Sequence, residues 1–248
     1  MPRTKLASYK RRRDSEASTS QGAIRFPVNM RSEHRSRYIK FQTSKNLRPN
    51  MVLDWDVLER LQLRQDCARM LYDEAWFRLL SIEEPIYKEL TLTFISTFSI
   101  KKEYNKGLDN EVKFLSLGEY RRFSMIEFIR ALEIYDPPYL ETPEFRQLPL
   151  WFPSEYRPGA YWPRIGRGFY NASSTKSSNF SDISYRVIHY ILARSTTSRT
   201  DSEGVVNARD MFQLWSMNTR TQVNVGVFAA FCILRQSEEK PKGVFIGA

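Results

Sequence analysis

Apolar residues recur at three- and four-residue steps along most of the chain after residue 51, which predicts a mainly helical fold. Asp54 is suited to cap a first helix, and a second helical stretch is expected from about Gln65 to Leu80. Pro85 suits the first turn of a third helix, because the N–H that proline lacks would be unpaired there. We expect these three helices to pack against one another as a bundle.

The helical period stops after the third helix. Val112 and Phe114 alternate with their neighbours, and Asn105-Lys106-Gly107 supplies turn residues, so this region predicts a short β-hairpin or a pair of small strands. Ser124 and Glu127 then form a Ser-x-x-Glu capping box, in which each side chain satisfies a free backbone N–H at a helix start. The fold class expected is a multi-helix globular body with one small hairpin.

Further helices are predicted in the second half of the chain. The last of them is apolar nearly all round, which indicates a helix buried on every side. The predicted starts are Thr142 with Pro143, Ser181 or Asp182, Asn207 with Asp210, and about Val223.

Residues 148–178 are rich in Pro, Trp, Tyr, Gly and Ser and follow no helical period. Two interpretations stay open. Exposed aromatic side chains beside arginines can stack the bases of single-stranded nucleic acid. A long loop held to the body by aromatic anchors is the commoner arrangement. The candidate stacking residues are Trp151, Tyr161, Trp162, Arg164 and Arg167.

Positive charge is concentrated in the first fifth of the chain. Residues 1–50 contain 13 Lys and Arg against 3 Asp and Glu, whereas residues 51–248 contain 25 of each sign. A neutral body with a cationic arm favours a polyanionic partner or an address signal. We therefore divide the chain into a disordered basic arm and linker, 1–50, and a helical domain, 51–248, which we expect to be cut short at its C-terminal end.

Two parts of the arm differ in apolar content. Residues 1–23 have almost nothing to bury and are expected to be disordered, whereas 24–50 resembles a linker that partly packs onto the body. The run Lys10-Arg11-Arg12-Arg13 is a candidate nuclear-import signal or phosphate-binding patch.

Residues with catalytic chemistry are scattered. Cys67, Cys232, His34 and His189 have no metal-ligand spacing, and the ten glycines form no phosphate-binding loop. His189 lies in an apolar helical pattern, which is more typical of a buried, hydrogen-bonded histidine than of a catalytic base; pairing with Cys67 as nucleophile is a weaker alternative. No uncharged apolar stretch reaches the roughly 20 residues of a membrane span. We expect no enzymatic activity, cofactor, metal, small-molecule substrate or membrane partner.

Several sequence blocks follow one another in a fixed order. The most specific block runs from Glu84-Pro85 through residues 87–92 to 94–98; others are 53–61, 114–118, 186–194 and 204–217. Together they cover about residues 50–236 and resemble the first-reading-frame proteins of plant Athila-type retrotransposons, which belong to the gypsy class. Ser198 departs from the family pattern, which usually has glycine there.

The resemblance implies a gag-like structural protein without catalysis. Such a protein is expected to self-associate and to hold RNA or DNA through the basic arm, in the nucleus, the cytoplasm or both. One alternative is a nuclear protein-interaction module of the plant mobile-domain type, in which the arm serves only for import. A remote alternative is an enzyme of unknown class.

Overall fold

The computed structural model describes residues 25–43, 47–49, 51–83, 87–101, 107–150, 152–196, 203–238 and 244–246, with the backbone alone for 47–49 and 244–246. The predicted patch Lys10-Arg11-Arg12-Arg13 and the aromatic Trp151 lie outside these residues. Within them the fold is mainly helical with a small antiparallel sheet, so the predicted fold class is confirmed.

The first half of the chain contains six helices and four strands among the described residues. They are α1 (Ser32–Thr43), β1 (Leu47–Pro49), α2 (Trp55–Arg60), α3 (Arg64–Met70), α4 (Glu74–Leu80), α5 (Lys88–Thr97), β2 (Ser99–Lys101), β3 (Glu111–Ser116), β4 (Glu119–Ser124) and α6 (Met125–Ala131). The second half contains α7 (Pro143–Gln147), α8 (Pro158–Tyr161), α9 (Ile183–Arg194), α10 (Ala208–Thr219), α11 (Val225–Glu238) and β5 (Val244–Ile246).

Most of the predicted helix starts are confirmed by their caps. The Asp54 carboxylate accepts the N–H groups of Asp56 and Val57 at the start of α2. Both predicted capping boxes are complete, at the starts of α6 and α10. Asp182 caps α9 and Thr142 caps α7, so short polar side chains supply the acceptors that the first free N–H groups need.

The predicted helix from Gln65 to Leu80 is wrong as a single element, because the chain breaks between α3 and α4. Oδ1 of Asp73 accepts the N–H of Ala75 at 2.9 Å and that of Trp76 at 3.4 Å, which starts a new helix instead of continuing the old one. Pro85 lies outside the described residues, and α5 begins only at Lys88.

The expected three-helix bundle is also wrong. Helix α3 packs against α9 and α10, and α4 packs against α11, whereas α5 packs against α1, β3 and α11. Helices α3 and α4 thus have their partners near the C-terminal end of the sequence and do not form a separate bundle with α5.

The small sheet has the antiparallel order β2-β3-β4. The predicted strand region is confirmed: β2 and β3 pair antiparallel on either side of the stretch that contains Gly107. Strands β3 and β4 add a second, tighter hairpin, whose turn is Leu117-Gly118 with φ of 51° and 82°. A two-residue hairpin loop with both φ values positive matches the twist of the strands, and glycine accepts this backbone without strain. The turn therefore brings β4 back along β3.

Two hydrophobic clusters hold the described part of the chain together. The larger one joins α3, α4, α6 and the C-terminal helices; in it Trp76 donates its indole N–H to Ser216 Oγ at 3.0 Å and meets Phe228 edge-on. The smaller one places Tyr38 and Phe41 of α1 on the face formed by α5 and β3. Its buried members are Met30, Tyr38, Phe41, Leu92, Ile95 and Leu115.

The smaller cluster confirms that residues 24–50 pack partly onto the body, and the packed part is a helix and not an irregular linker. Residues 32–43 form a regular helix whose inner face is buried, so this part of the predicted arm belongs to the folded body. At the other end, β5 pairs in parallel with β1, and the backbone at Leu47 faces that at Val244. No helix in the described ranges combines the length and the apolar character needed to cross a bilayer.

Candidate nucleic-acid interface

Helix α1 has one apolar face and one basic face. Tyr38 and Phe41 point into the smaller cluster, and the phenol of Tyr38 donates to Glu89 Oε2 at 2.6 Å. Burial and the Glu89 carboxylate both raise the pKa of Tyr38, so the phenol stays a proton donor at any physiological pH. This contact fixes the rotation of α1, which leaves Arg35 and Lys40 exposed and Arg37 half-buried.

Positive charge exceeds negative charge along α1 and the described residues before it. Residues 25–43 contain five Lys and Arg and one acid, Glu33, which lies 3.9 Å from Arg31. Among the described residues, no acid forms an ion pair with Arg35, Arg37 or Lys40. Unpaired cations on a rigid helix create a local positive potential that attracts phosphates.

The segment before α1 is held by the tip of the β3–β4 hairpin. The Asn29 side chain donates to the Gly118 carbonyl at 2.8 Å, and the Arg31 N–H donates to the phenol of Tyr120 at 3.1 Å. The Arg31 guanidinium also lies over the Tyr120 ring, 4.5 Å from its centre. These contacts fix the direction in which the chain approaches α1.

His34 lies on the same helix and does not add to the charge at neutral pH. Burial lowers its pKa, and the nearby Arg37 and Arg31 lower it further, against an opposing effect of Glu33. The positive charge of this helix therefore comes from arginine and lysine side chains.

The candidate stacking residues of the segment 148–178 are divided by the structure. Tyr161 and Trp162 are buried, at 4% and 0% exposure, so neither ring presents a face to a ligand, and the stacking interpretation is corrected for these two. The phenol of Tyr161 donates to the Leu214 carbonyl and the Trp162 indole to the Arg167 carbonyl, both at 3.2 Å. They are the aromatic anchors of the commoner interpretation, whereas Arg164 and Arg167 are exposed.

Phe169 is the most exposed aromatic residue in the described part of this segment, ahead of Phe152 at 44%. Its exposure is 100%, and it follows Gly168, whose φ of +75° projects the chain away from the body. Gly166 is packed against the Trp162 ring so closely that a Cβ there would lie 2.3 Å from it. The sequence signal was present in the glycines on either side of Arg167: Gly166 makes room for the Trp162 ring, and Gly168 accepts a positive φ.

His189 is buried and hydrogen-bonded, as the helical pattern predicts. Its Nε2 lies 3.1 Å from Asp210 Oδ2, and the same carboxylate oxygen accepts the Asn207 N–H at 3.0 Å in the capping box. Burial raises the pKa of the Cys67 thiol to about 11 and also raises that of Cys232, so neither is an activated nucleophile. The Asp210 carboxylate thus stabilises the N-terminus of α10 in addition to contacting His189.

A surface pocket of about 380 Å³ opens between the N-terminus of α4 and the loops before α7 and α11. Asp73, Tyr139 and Arg220 line it, and burial raises the pKa of Asp73 despite its two backbone hydrogen bonds. His189 and the cysteines lie elsewhere. Within the described residues, no cluster of three or more His, Cys, Asp or Glu is arranged to hold a metal ion.

No protein-family model matches the chain, and neither a curated protein nor a solved structure matches it. Its function is therefore inferred from its own geometry, charge distribution and sequence blocks. The surface with the clearest chemical preference is the basic face of α1.

Proposed function

We propose that this chain is a gag-like protein of retrotransposon origin, which associates with nucleic acid and itself and performs no catalysis. The observation that carries the proposal is the basic face of α1, where Arg35, Arg37 and Lys40 have no ion pair with a described acid. The cationic run Lys10-Arg11-Arg12-Arg13 continues the same sign of charge along the sequence. The resemblance of residues 50–236 to Athila-type first-reading-frame proteins supports the same origin.

The charge would bind phosphates mainly through release of condensed counterions. Each phosphate neutralised on a single strand steepens the dependence of log affinity on log salt by about 0.7. If Arg35, Arg37 and Lys40 each neutralise one phosphate, the slope of log affinity against log salt steepens by about 2. The run Lys10-Arg11-Arg12-Arg13 would steepen it by about 3 more. Such binding is insensitive to sequence, as expected of a protein that coats its own transcript.

The experiment measures binding of the full chain to a single-stranded RNA across a salt series. One variant replaces Arg35, Arg37 and Lys40 by Gln. A control replaces Arg64, Arg69 and Arg121 by Gln; these are exposed, as Arg35 and Lys40 are, but each has a carboxylate partner, at 3.5, 3.3 and 2.7 Å respectively. Both variants lose three charges, so a comparison of them separates a local surface from net charge.

We expect the α1 variant to lower the salt slope by about 2 and the control by much less. An equal decrease of the salt slope in both variants would show that only net charge matters, and would refute α1 as the nucleic-acid interface. Sedimentation of the full chain with and without RNA completes the test. A monomer that ignores RNA at physiological salt would instead fit a nuclear protein-interaction module.

A further inference from the structure

Arg164 ends a short 3-10 helix, and Arg167 and Phe169 lie in the loop that follows; all three side chains are exposed. They are here called the Phe169 loop, and their chemistry differs from that of α1. We propose that the Phe169 loop stacks an unpaired base on the Phe169 ring while the two arginines neutralise the adjoining phosphates. The body would then select single-stranded over duplex nucleic acid. This inference rests on the proposed function, since it adds a second contact for the same polyanion.

Complete exposure distinguishes Phe169 from the ordinary apolar residues of a protein surface. Scattered exposed apolar side chains are normal, and here Leu117, Tyr72 and Tyr87 are exposed to 76%, 69% and 64%. Phe169 at 100% buries none of its ring against the described residues, so both faces are available. An aromatic face is what a base needs for stacking, and every base has a face to offer in return.

The loop is held rigidly although its tip is exposed. The Arg167 N–H donates to the Asn179 carbonyl at 2.8 Å, and the Ser181 N–H donates to the Ile165 carbonyl at 2.9 Å. The Trp162 indole N–H binds the Arg167 carbonyl from below. These contacts fix the backbone immediately before Phe169, so this part of the loop loses little conformational entropy when the ligand binds.

The charge around the loop favours a polyanion over an apolar protein surface. Residues 152–196 contain six Lys and Arg against two acids, Glu155 and Asp182. The Asp182 carboxylate is engaged by Ser184 at the start of α9, and that of Glu155 by the hydroxyl of Ser154. Along the chain Phe169 is followed by Tyr170, which is half-buried, and the exposed residues on either side are Arg167, Gly168 and Asn171. The exposed surface next to the ring is therefore mostly polar.

Base pairing accounts for the expected selectivity. In a duplex each base is already stacked on its neighbours, so a protein ring gains a stacking face only by disrupting the helix. In a single strand the bases can be splayed out onto an aromatic side chain. The Phe169 ring should therefore contribute to binding of single strands, whereas the arginines contribute to both.

The test uses the full chain with a labelled single-stranded RNA and a duplex of equal length. Phe169→Ala should weaken binding of the single strand roughly 5- to 150-fold, the range for loss of one stacked base, and leave duplex binding unchanged. The salt slope should stay the same because no charge is removed. Phe169→Trp should retain the affinity, and Tyr87→Ala, the matched loss of another exposed aromatic, should not alter it.

The outcomes separate this inference from the proposed function. Should wild-type protein bind neither RNA, both fail together. Should it bind with the α1 salt slope while Phe169→Ala binds single strand and duplex like wild type, the loop has no stacking role and the proposed function stands. A shift of Phe169→Ala from oligomer to monomer without a change in RNA affinity would make the loop a contact between copies, and would equally overturn the proposal.

Discussion

Truncation of Phe41 should release helix α1 from the body without unfolding the body. The side chain is 2% exposed and belongs to the smaller cluster, which packs on the α5 and β3 face and touches the larger core through Ile233. A Phe→Ala change at a buried site costs about 3–5 kcal/mol. Because α1 is held mainly by Met30, Tyr38 and Phe41, that loss falls on a local contact and not on the whole fold.

Amide hydrogen exchange read segment by segment is the suitable assay. Protection over Ser32–Thr43 should fall by two powers of ten or more, since about 1.4 kcal/mol corresponds to one power of ten. The melting temperature of the body should change little. The control is Phe212→Ala, the same chemical change at 1% exposure in the larger cluster, which should lower the melting temperature by roughly 2–4 °C per kcal/mol lost.

Tyr38→Phe gives a graded intermediate. It keeps the ring in the cluster and removes only the hydrogen bond to Glu89, so α1 should lose protection by a smaller factor. The reasoning is refuted if Phe41→Ala lowers the melting temperature as much as Phe212→Ala, with protection lost everywhere at once. In that case α1 would belong to a single cooperative unit with the larger core.

Three further predictions concern single sites in the body. Gly226→Ala should destabilise the fold by about 1–3 kcal/mol in thermal denaturation, because its Cβ would lie 2.6 Å from Ile129, whereas Gly159→Ala, with nothing within 4 Å, should be neutral or stabilising. Because the pKa of Asp73 is raised by folding, its protonation stabilises the folded state fully below the unfolded pKa, and this stabilisation is lost as pH rises through the folded pKa. Asp73→Asn keeps a side-chain oxygen for the cap and has no charge to bury. In urea titrations the variant should therefore be more stable than wild type at pH 7 but not near pH 3. Cys67, buried and with a pKa of about 11, should resist a thiol reagent at pH 7 until the protein is unfolded, and rapid native labelling would contradict its placement.

Local chemistry made much of the helical framework predictable. The caps at Asp54, Ser124, Thr142, Asp182 and Asn207 depend on residues three or fewer positions away, so the sequence contains the whole interaction. The same rule explains the error between α3 and α4. Asp73 is itself a good cap, and an apolar repeat that continues across it hides the break.

Contacts between distant segments were not predictable from periodicity. The burial of Tyr161 depends on a carbonyl of Leu214 in α10, and that of Tyr38 depends on Glu89 in α5. A composition rich in arginine made residues 24–50 resemble a linker, although two aromatic side chains suffice to dock a helix there. Phe169 was one aromatic among several in its segment, and only the backbone geometry at Gly168 separates it from the buried ones.

The parallel pairing of β1 with β5 bears on the order in which the molecule assembles. Leu47 and Val244 face each other across the pair, so nearly all of the body lies in the loop that the pairing closes. A pair of three-residue strands yields too few hydrogen bonds to offset the entropy of closing so long a loop in an unfolded chain. The two segments can meet only after the helices between them have brought them together, which makes this pair the last part to form and the first to separate when the protein is heated.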